Sequence, residues 1–404
     1  MTHDASQTIP PSYPENRGCP YELPDGYRRL RDEGEPLRLV TIAGGRSAWV
    51  VTNFDVARRL LTDPRMSSDR TRPEYPRGNA ARTEGRRDER PTLLAMDPPE
   101  HDRQRRMLTG KFSAKKMGLL REDIERIVHG YLDSMLEAGS PADLVADFAL
   151  PVPSSVICLL LGVPDLDHGF FQEKSRQLLQ GTDATTVRAA LQGLGDYFDS
   201  LVTKLQREPA TGVMGELVAD QLAAGDLTRQ DVFAMGGMLL VAGHETTASM
   251  ASLGMVSLLD HPDQLDTLRA DRSLIPGAVE ELLRFLSIAG IVTTRVAASD
   301  IDVDGQLIRS GEVVIIDNFI ANRDGVAFQK PDVLDVRRAD RRHIAFGYGI
   351  HQCLGQHLAR LELEIIFNAL LDRVPTLRLA EPTEQLRLRP GNTIFGVERV
   401  PVAW

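Results

Sequence analysis

Hydrophobic and polar residues follow two different periods along this chain, and the change of period marks out its organisation. Residues 36–53 (PLRLVTIAGGRSAWVVTN) read as two strands joined around Gly44-Gly45, a hairpin signal. From about 99 to 286 the period is mostly helical, with short breaks at Leu150-Pro151-Val152-Pro153, Gly162-Val163-Pro164 and Glu208-Pro209. Within that stretch, Asp231 to Leu259 predicts one helix about 40 Å long at roughly 1.5 Å per residue. It is apolar nearly all round, so it is expected to be buried. Residues 291–320 turn strand-like, with a tight turn at Asp304-Gly305. Residues 354–372 are helical again, and 388–404 read as strand and turn. Residues 70–91 are rich in Arg, Pro, Gly and Glu without any period, which predicts a mobile loop. There is no internal repeat and no linker. The expectation is a mainly α chain, a helix-rich body with a smaller β region, in one unit spanning 1–404 whose first 25 or so residues are extended.

Composition narrows the class. Of 404 residues, 42% are hydrophobic and 26% charged, ordinary values for a globular protein. The net charge of −10 argues against nucleic-acid binding. Three distant cysteines, Cys19, Cys158 and Cys353, are too few for a disulfide framework and fit a reducing compartment. The N-terminus lacks the basic start and apolar core of a signal peptide. The most apolar stretch, Ala234 to Gly243, is about half a membrane span. A soluble cytoplasmic protein is expected, without membrane or nucleic-acid partners.

Candidate chemistry centres on Cys353, in the run Phe346-Gly347-Tyr348-Gly349-Ile350-His351-Gln352-Cys353-Leu354-Gly355, just ahead of a helix. A helix N-terminus favours a thiolate, and glycines leave the backbone N–H groups open to the sulfur. One isolated thiolate suits a single strong bond to haem iron. A structural zinc site needs four ligands, and Cys353 with His357 supplies two. A buried structural cysteine is the plainer alternative. The long helix carries Ala242-Gly243-His244-Glu245-Thr246-Thr247 at its middle, a polar group that is costly in a buried helix unless it has a task. Gly243 and the two threonines are expected to loosen the helical ladder there. Glu281 and Arg284 share a helix face and can pair. His101 and Arg105, one turn apart at a helix start, can hold a carboxylate or phosphate. Arg103, Arg105, Arg106, Lys111, Lys115 and Lys116 form a basic run with no acid among them, which reads as a docking face for an acidic partner.

With these motifs in this order, the chain resembles the bacterial cytochrome P-450 haem-thiolate monooxygenases along essentially its whole length. The phrases NRGCPYELPDGY, DPPEH, FALPVPSSVIC, LLVAGHETTASM, PGAVEELLRF and HQCLGQHLARLELE bring it nearest to the soluble actinomycete branch that hydroxylates macrolides, statin precursors, vitamin D and foreign compounds. The resemblance implies the P-450 fold as a single domain, with haem b buried between the long helix and the cysteine loop. It implies Cys353 as axial thiolate, with Phe346 and Gly349 covering and approaching the sulfur. Glu245 and Thr246 match the acid–alcohol pair that delivers protons during oxygen activation, although many bacterial relatives carry Asp where Glu245 stands. Glu281 and Arg284, with Arg338 as third member, match a buried brace. His101, Arg105, Arg295 and His351 match partners of the haem propionates.

The resemblance further implies hydroxylation of a C–H bond in a mid-sized lipophilic molecule, using O2. The pocket walls would include Phe233, Gly237, Val241, Ile288, Val292, Ile394 and Phe395, with a strand near Ile288–Val292. Seven arginines (Arg70, Arg72, Arg77, Arg82, Arg86, Arg87 and Arg90) could meet a substrate carboxylate or simply line a solvated loop. No flavin or nicotinamide domain is fused, so a small acidic ferredoxin and its reductase are the expected electron source, and the enzyme is expected to be a monomer. A peroxide-driven peroxygenase and a non-catalytic haem-thiolate sensor are the alternatives. An intact Glu245-Thr246 pair speaks against both.

Overall fold

The computed structural model describes residues 10–76, 91–163, 168–180, 183–208, 211–290, 293–338, 340–389 and 394–404. Its body is helical where the apolar period is helical. The main helices are Glu100–Thr109, Arg121–Ala138, Pro151–Leu161, His168–Gln180, Ala184–Arg207, Arg229–Asp260, Pro262–Ala270, Ile275–Leu286 and Gln356–Arg373. Leu150–Pro153 is not a break. Pro151 is the first residue of its helix, where a missing N–H removes no bond, and the chain enters from a π-helical turn at Val145–Ala149. The other two breaks are real: one helix stops at Leu161 and another at Arg207, while Pro209 lies outside the described residues. The loop expected over 70–91 shows irregular turns up to Pro76, and its remainder from 77 to 90 is also outside them.

Arg229–Asp260, the central helix, starts with a capping box in which Thr228 and Asp231 satisfy each other's backbone N–H. Its 32 residues rise about 48 Å. Residues Thr247 to Leu258 are all buried, so that half runs through the core. The ladder is continuous through Gly243, contrary to the loosening expected there. The Thr246 hydroxyl donates to the Ala242 carbonyl at 2.7 Å and Thr247 to Gly243 at 3.2 Å. Each hydroxyl adds a bond to a carbonyl already in the ladder, the arrangement that bends a helix without breaking it. Gly243 serves packing instead, since a Cβ there would lie 2.8 Å from Cδ1 of Ile157 on the neighbouring helix.

The β region has a five-stranded sheet in the order Leu37–Ile42, Arg46–Val51, Val313–Ile316, Thr294–Ala297, Met66–Ser67. The expected hairpin pairs Leu37 with Val51 through Ile42 with Arg46. Ile301–Val303 and Gln306–Ile308 form a second hairpin around Asp304-Gly305. Ile288 is not in a strand. The chain is irregular after Leu286 up to Gly290, and the strand begins at Thr294. The C-terminal strand Pro401–Ala403 pairs with Ala142–Asp143 and Arg378–Leu379. The largest apolar core lies among the helices, with Phe148, Phe198, Leu253, Leu282 and Phe367 buried together, and a smaller core lies under the sheet. Among the described residues no helix is long and apolar enough to cross a membrane.

Candidate active site

Cys353 sits in a tight loop that folds back on itself. Its backbone N–H donates to the Phe346 carbonyl at 2.8 Å, and Gly347 N–H donates to Ile344 at 2.8 Å. Gly349 adopts φ 72°, and a Cβ there would lie 2.5 Å from the Leu61 carbonyl oxygen. Glycine is therefore needed for both backbone conformation and close approach, and the approach is to the helix Phe54–Thr62. The helix after the loop, Gln356–Arg373 (the proximal helix), begins three residues beyond Cys353. The sequence reading expected the helix start to favour the thiolate, and the balance falls the other way. Burial pushes the Cys353 thiol up, while the Gly355 N–H, Arg105 and Arg360 pull it down without winning. A thiolate here needs a cation directly opposite it, which a metal supplies.

Near the loop, side chains from four separate segments bring positive charge together. His101 is fully buried, with Nδ1 2.9 Å from Asp102 and Nε2 without a hydrogen-bond partner. Its ring lies 4.2 Å from that of His351, tilted by 51°, and Nε2 of His351 lies 3.0 Å from the Ser68 hydroxyl. Arg105 donates to the Gln352 carbonyl at 2.6 Å, and buried Arg295 donates to the Thr294 carbonyl at 2.9 Å. Burial, followed by the charges of Arg295, His101, Arg105 and Arg70, pushes His351 down to about 3. Burial also lowers Arg105 and Arg295. The nearby Asp97 is engaged by Ser67 and the Ser68 N–H. Crowded cations with an orphaned buried nitrogen call for an anion. The structure thus brings His101, Arg105, Arg295 and His351 together and adds Ser68 and Arg70. Arg70 had been singled out only as one of seven loop arginines, and nothing in the sequence marks Ser68.

The central helix is accessible along one side. Between Asp231 and Leu258 its accessible positions are Phe233, Ala234, Gly237, Met238, Val241, Ala242, Gly243 and Thr246, and most of them repeat every three or four residues. Such a repeat is one helix face. Phe233, Gly237 and Val241, foreseen as pocket wall, lie on it, and Thr246 closes it. Glu245 is buried on an adjacent face, 3.8 Å from Nη1 of Arg389. Arg389 also donates to the Val397 carbonyl, which ties the central helix to the C-terminal turn carrying Ile394 and Phe395. Arg389 carries no local signal in the sequence. Of the other pocket residues, Ile288 accepts from the Phe395 N–H at 2.8 Å, and Val292 lies outside the described residues.

Glu281, Arg284 and Arg338, expected to form a brace, come together in the structure. Glu281 holds Arg284 through two bonds of 2.7 and 2.9 Å, with neither side chain accessible. Arg338 Nε lies 3.0 Å from the same carboxylate, and the Asp335 N–H donates to it at 3.0 Å. The basic run after residue 103 is more neutral than its sequence suggests. Arg103 pairs with Glu100, and Lys111 and Lys116 both reach Glu216 from another helix. Those acids are outside the run, so counting charges along it overstates the field. Arg106 and Lys115 make no ion pair among the described residues.

One sulfur donor, a cationic cluster with a bare buried nitrogen, and an accessible apolar helix face suit a flat, largely apolar, dianionic metal complex. A haem has that chemistry, with one axial ligand, two carboxylates and an apolar rim. Among the described residues no group of three or more His, Cys, Asp or Glu converges to hold a bare metal ion.

Comparison with known proteins agrees. The family model for Cytochrome P450 matches residues 176–375. A vitamin D3 dihydroxylase of Streptomyces griseolus is 57% identical over 397 residues, covering 98% of each chain. A pentalenic acid synthase of Streptomyces avermitilis is 49% identical, covering 99% of this chain and 98% of its own. Among solved structures, mycinamicin VIII C21 methyl hydroxylase from Micromonospora griseorubida, bound to mycinamicin VIII, superposes with a TM-score of 0.92 at 40% identity, covering 98% of this chain and all of that one.

Proposed function

The chain belongs to the cytochrome P450 family and is a haem b-dependent monooxygenase that hydroxylates lipophilic substrates, and from that premise we propose how its residues divide the work. Haem b, when bound, supplies the activation of O2 and the transfer of one oxygen atom to a C–H bond. Cys353 would hold the haem iron through its sulfur, and the metal would stabilise the thiolate against the burial that pushes the thiol up. His101, Arg105, Arg295 and His351 would hold the carboxylates of the haem, whose negative charge would offset a crowded cationic cluster. Glu281, Arg284 and Arg338 hold the segment leading to the cysteine loop.

Thr246 has a defined hydrogen-bond polarity. Its proton is committed to the Ala242 carbonyl, so its oxygen offers lone pairs to the open helix face. It holds a water or a protonated oxygen group by accepting from it, and Glu245 supplies the exchangeable proton from the adjacent face. Phe233, Gly237, Val241, Ile394 and Phe395 exclude bulk water and position an apolar substrate. The relatives named above carry names referring to vitamin D3, pentalenic acid and mycinamicin VIII, so the substrate is a mid-sized lipophilic molecule. Electrons come from a ferredoxin and its reductase. The enzyme acts as a cytoplasmic monomer with one catalytic domain over 1–404.

The observation that carries this reading is the placement of Cys353 within reach of Arg105 and beside the four-segment cation cluster. Cys353→Ala is expected to abolish the thiolate-type absorption of the reduced carbon monoxide complex. A variant that kept that absorption would overturn the ligand assignment.

A further inference from the structure

Glu280 stands next to the brace residue Glu281 but points elsewhere, because neighbours on a helix are about 100° apart. It is 5% exposed, and its carboxylate is fully engaged. Arg360 of the proximal helix donates to it from Nε at 2.5 Å and from Nη2 at 3.0 Å. His343, three residues before Phe346, lies 2.9 Å away through Nε2. The Ala345 N–H points at His343 Nδ1 at 3.2 Å, so Nδ1 carries the lone pair and Nε2 carries the proton. The Arg360 guanidinium is the permanent cation facing that carboxylate. Burial would raise Glu280, but the bonds from His343 and Arg360 win and hold it at about 2.

The same guanidinium lies on the cysteine loop. Its Cζ is 4.6 Å from the centre of the Phe346 ring, and Phe346 is the residue whose carbonyl accepts from Cys353. A cation therefore lies against the ring of the residue whose carbonyl accepts from Cys353, and its counter-ion is bonded to it. In a partly buried region such charges act with little screening. Adding an electron to a haem is favoured by nearby positive charge and opposed by nearby negative charge.

We propose that Glu280 is a positioning residue for the haem ligand: it clamps Arg360 against Phe346 and offsets its charge, so that the Glu280–Arg360 pair sets the haem reduction potential. The inference rests on Cys353 being the axial ligand. It assigns a task to the first glutamate of Glu280-Glu281, which the brace leaves unused. It also accounts for His343, which ties the start of the loop to the same carboxylate.

The test is a spectroelectrochemical titration of the substrate-free holoenzyme and its variants at one pH, with the reduced carbon monoxide spectrum recorded alongside. Glu280→Gln keeps the shape and leaves the cation uncompensated, so the midpoint potential rises. Arg360→Gln removes the cation and leaves the anion, so the potential falls. The double variant returns towards wild type, and Arg360→Lys stays nearer wild type than Arg360→Gln. A purely structural role would shift both single variants the same way and erode the thiolate-type absorption in each. Shifts of one sign, or none, overturn the proposal. If Glu280→Gln does not fold, the order of Arg360→Lys and Arg360→Gln still decides it. A wild-type enzyme without thiolate-type absorption overturns the Cys353 assignment instead, which is read before any variant is compared.

Discussion

At the scale of single residues, this site works through what each polar atom has already committed. Thr246 is the clearest case. Its hydroxyl proton is spent on a helical carbonyl, so it accepts from the open face and does not donate to it. Thr246→Ala removes an acceptor and leaves the fold and the haem contacts intact. The variant is expected to retain haem and to consume NAD(P)H. Product formed per NAD(P)H should drop several-fold, since losing one positioned proton-transfer group costs about 10²–10⁴-fold in that step. The missing equivalents should appear as hydrogen peroxide. Measuring product, NAD(P)H and peroxide together checks this, and fully coupled turnover would remove the relay role. Glu245 shows the same economy from the other side: it is buried with its carboxylate 3.8 Å from a guanidinium, which fixes where it sits.

At the scale of elements, the brace joins the helix Ile275–Leu286 to the irregular chain that leads into the cysteine loop. Arg284 donates to the carbonyls of Asn322 and Pro331 as well as to Glu281, so one buried guanidinium collects backbone from two further turns. Removing the carboxylate charge leaves two arginines facing one another in the interior. Glu281→Gln is expected to cost roughly 3–5 kcal/mol, the usual penalty for breaking a buried pair from one side. Denaturant unfolding of the haem-loaded protein reads the loss, and haem release should accelerate in parallel. A loss under about 1 kcal/mol, typical of a surface change, would show that the brace carries no load.

At the scale of the whole molecule, electrostatics must select a redox partner against an unhelpful background. The chain carries a net charge of −10, so an acidic ferredoxin is repelled at long range and attracted only where a local face is positive. Pairing with Glu216 and Glu100 offsets the charge of Lys111, Lys116 and Arg103, while Arg106 and Lys115 make no ion pair among the described residues. The double variant Arg106→Glu with Lys115→Glu is expected to raise the ferredoxin dissociation constant about tenfold or more at low salt, that is about 1.4 kcal/mol. The difference should shrink as salt is added. Equal binding of both proteins at low ionic strength would place the docking face elsewhere.

Much of this was readable from local chemistry. The helical and strand periods, the Gly-flanked cysteine and the Glu281–Arg284 spacing are short-range patterns, and the physics that makes them is short-range too. The central helix was foreseen to within two residues at its start and one at its end, because its cap and its apolar run are contiguous. Other features were not readable. Ser68, Arg389, and the link between Glu280, His343 and Arg360 join positions 63 to 283 residues apart, and no sequence period connects them. The same holds for the neutralised lysines, whose acid lies about a hundred residues away, and for the Cys353 thiol, where burial outweighs the helix start. The chain by itself determined which residues could do chemistry and on which element each one rides. Only the tertiary structure decided which of them meet, which charges cancel and which proton is free, because those outcomes depend on distance and burial in space and not on order along the chain.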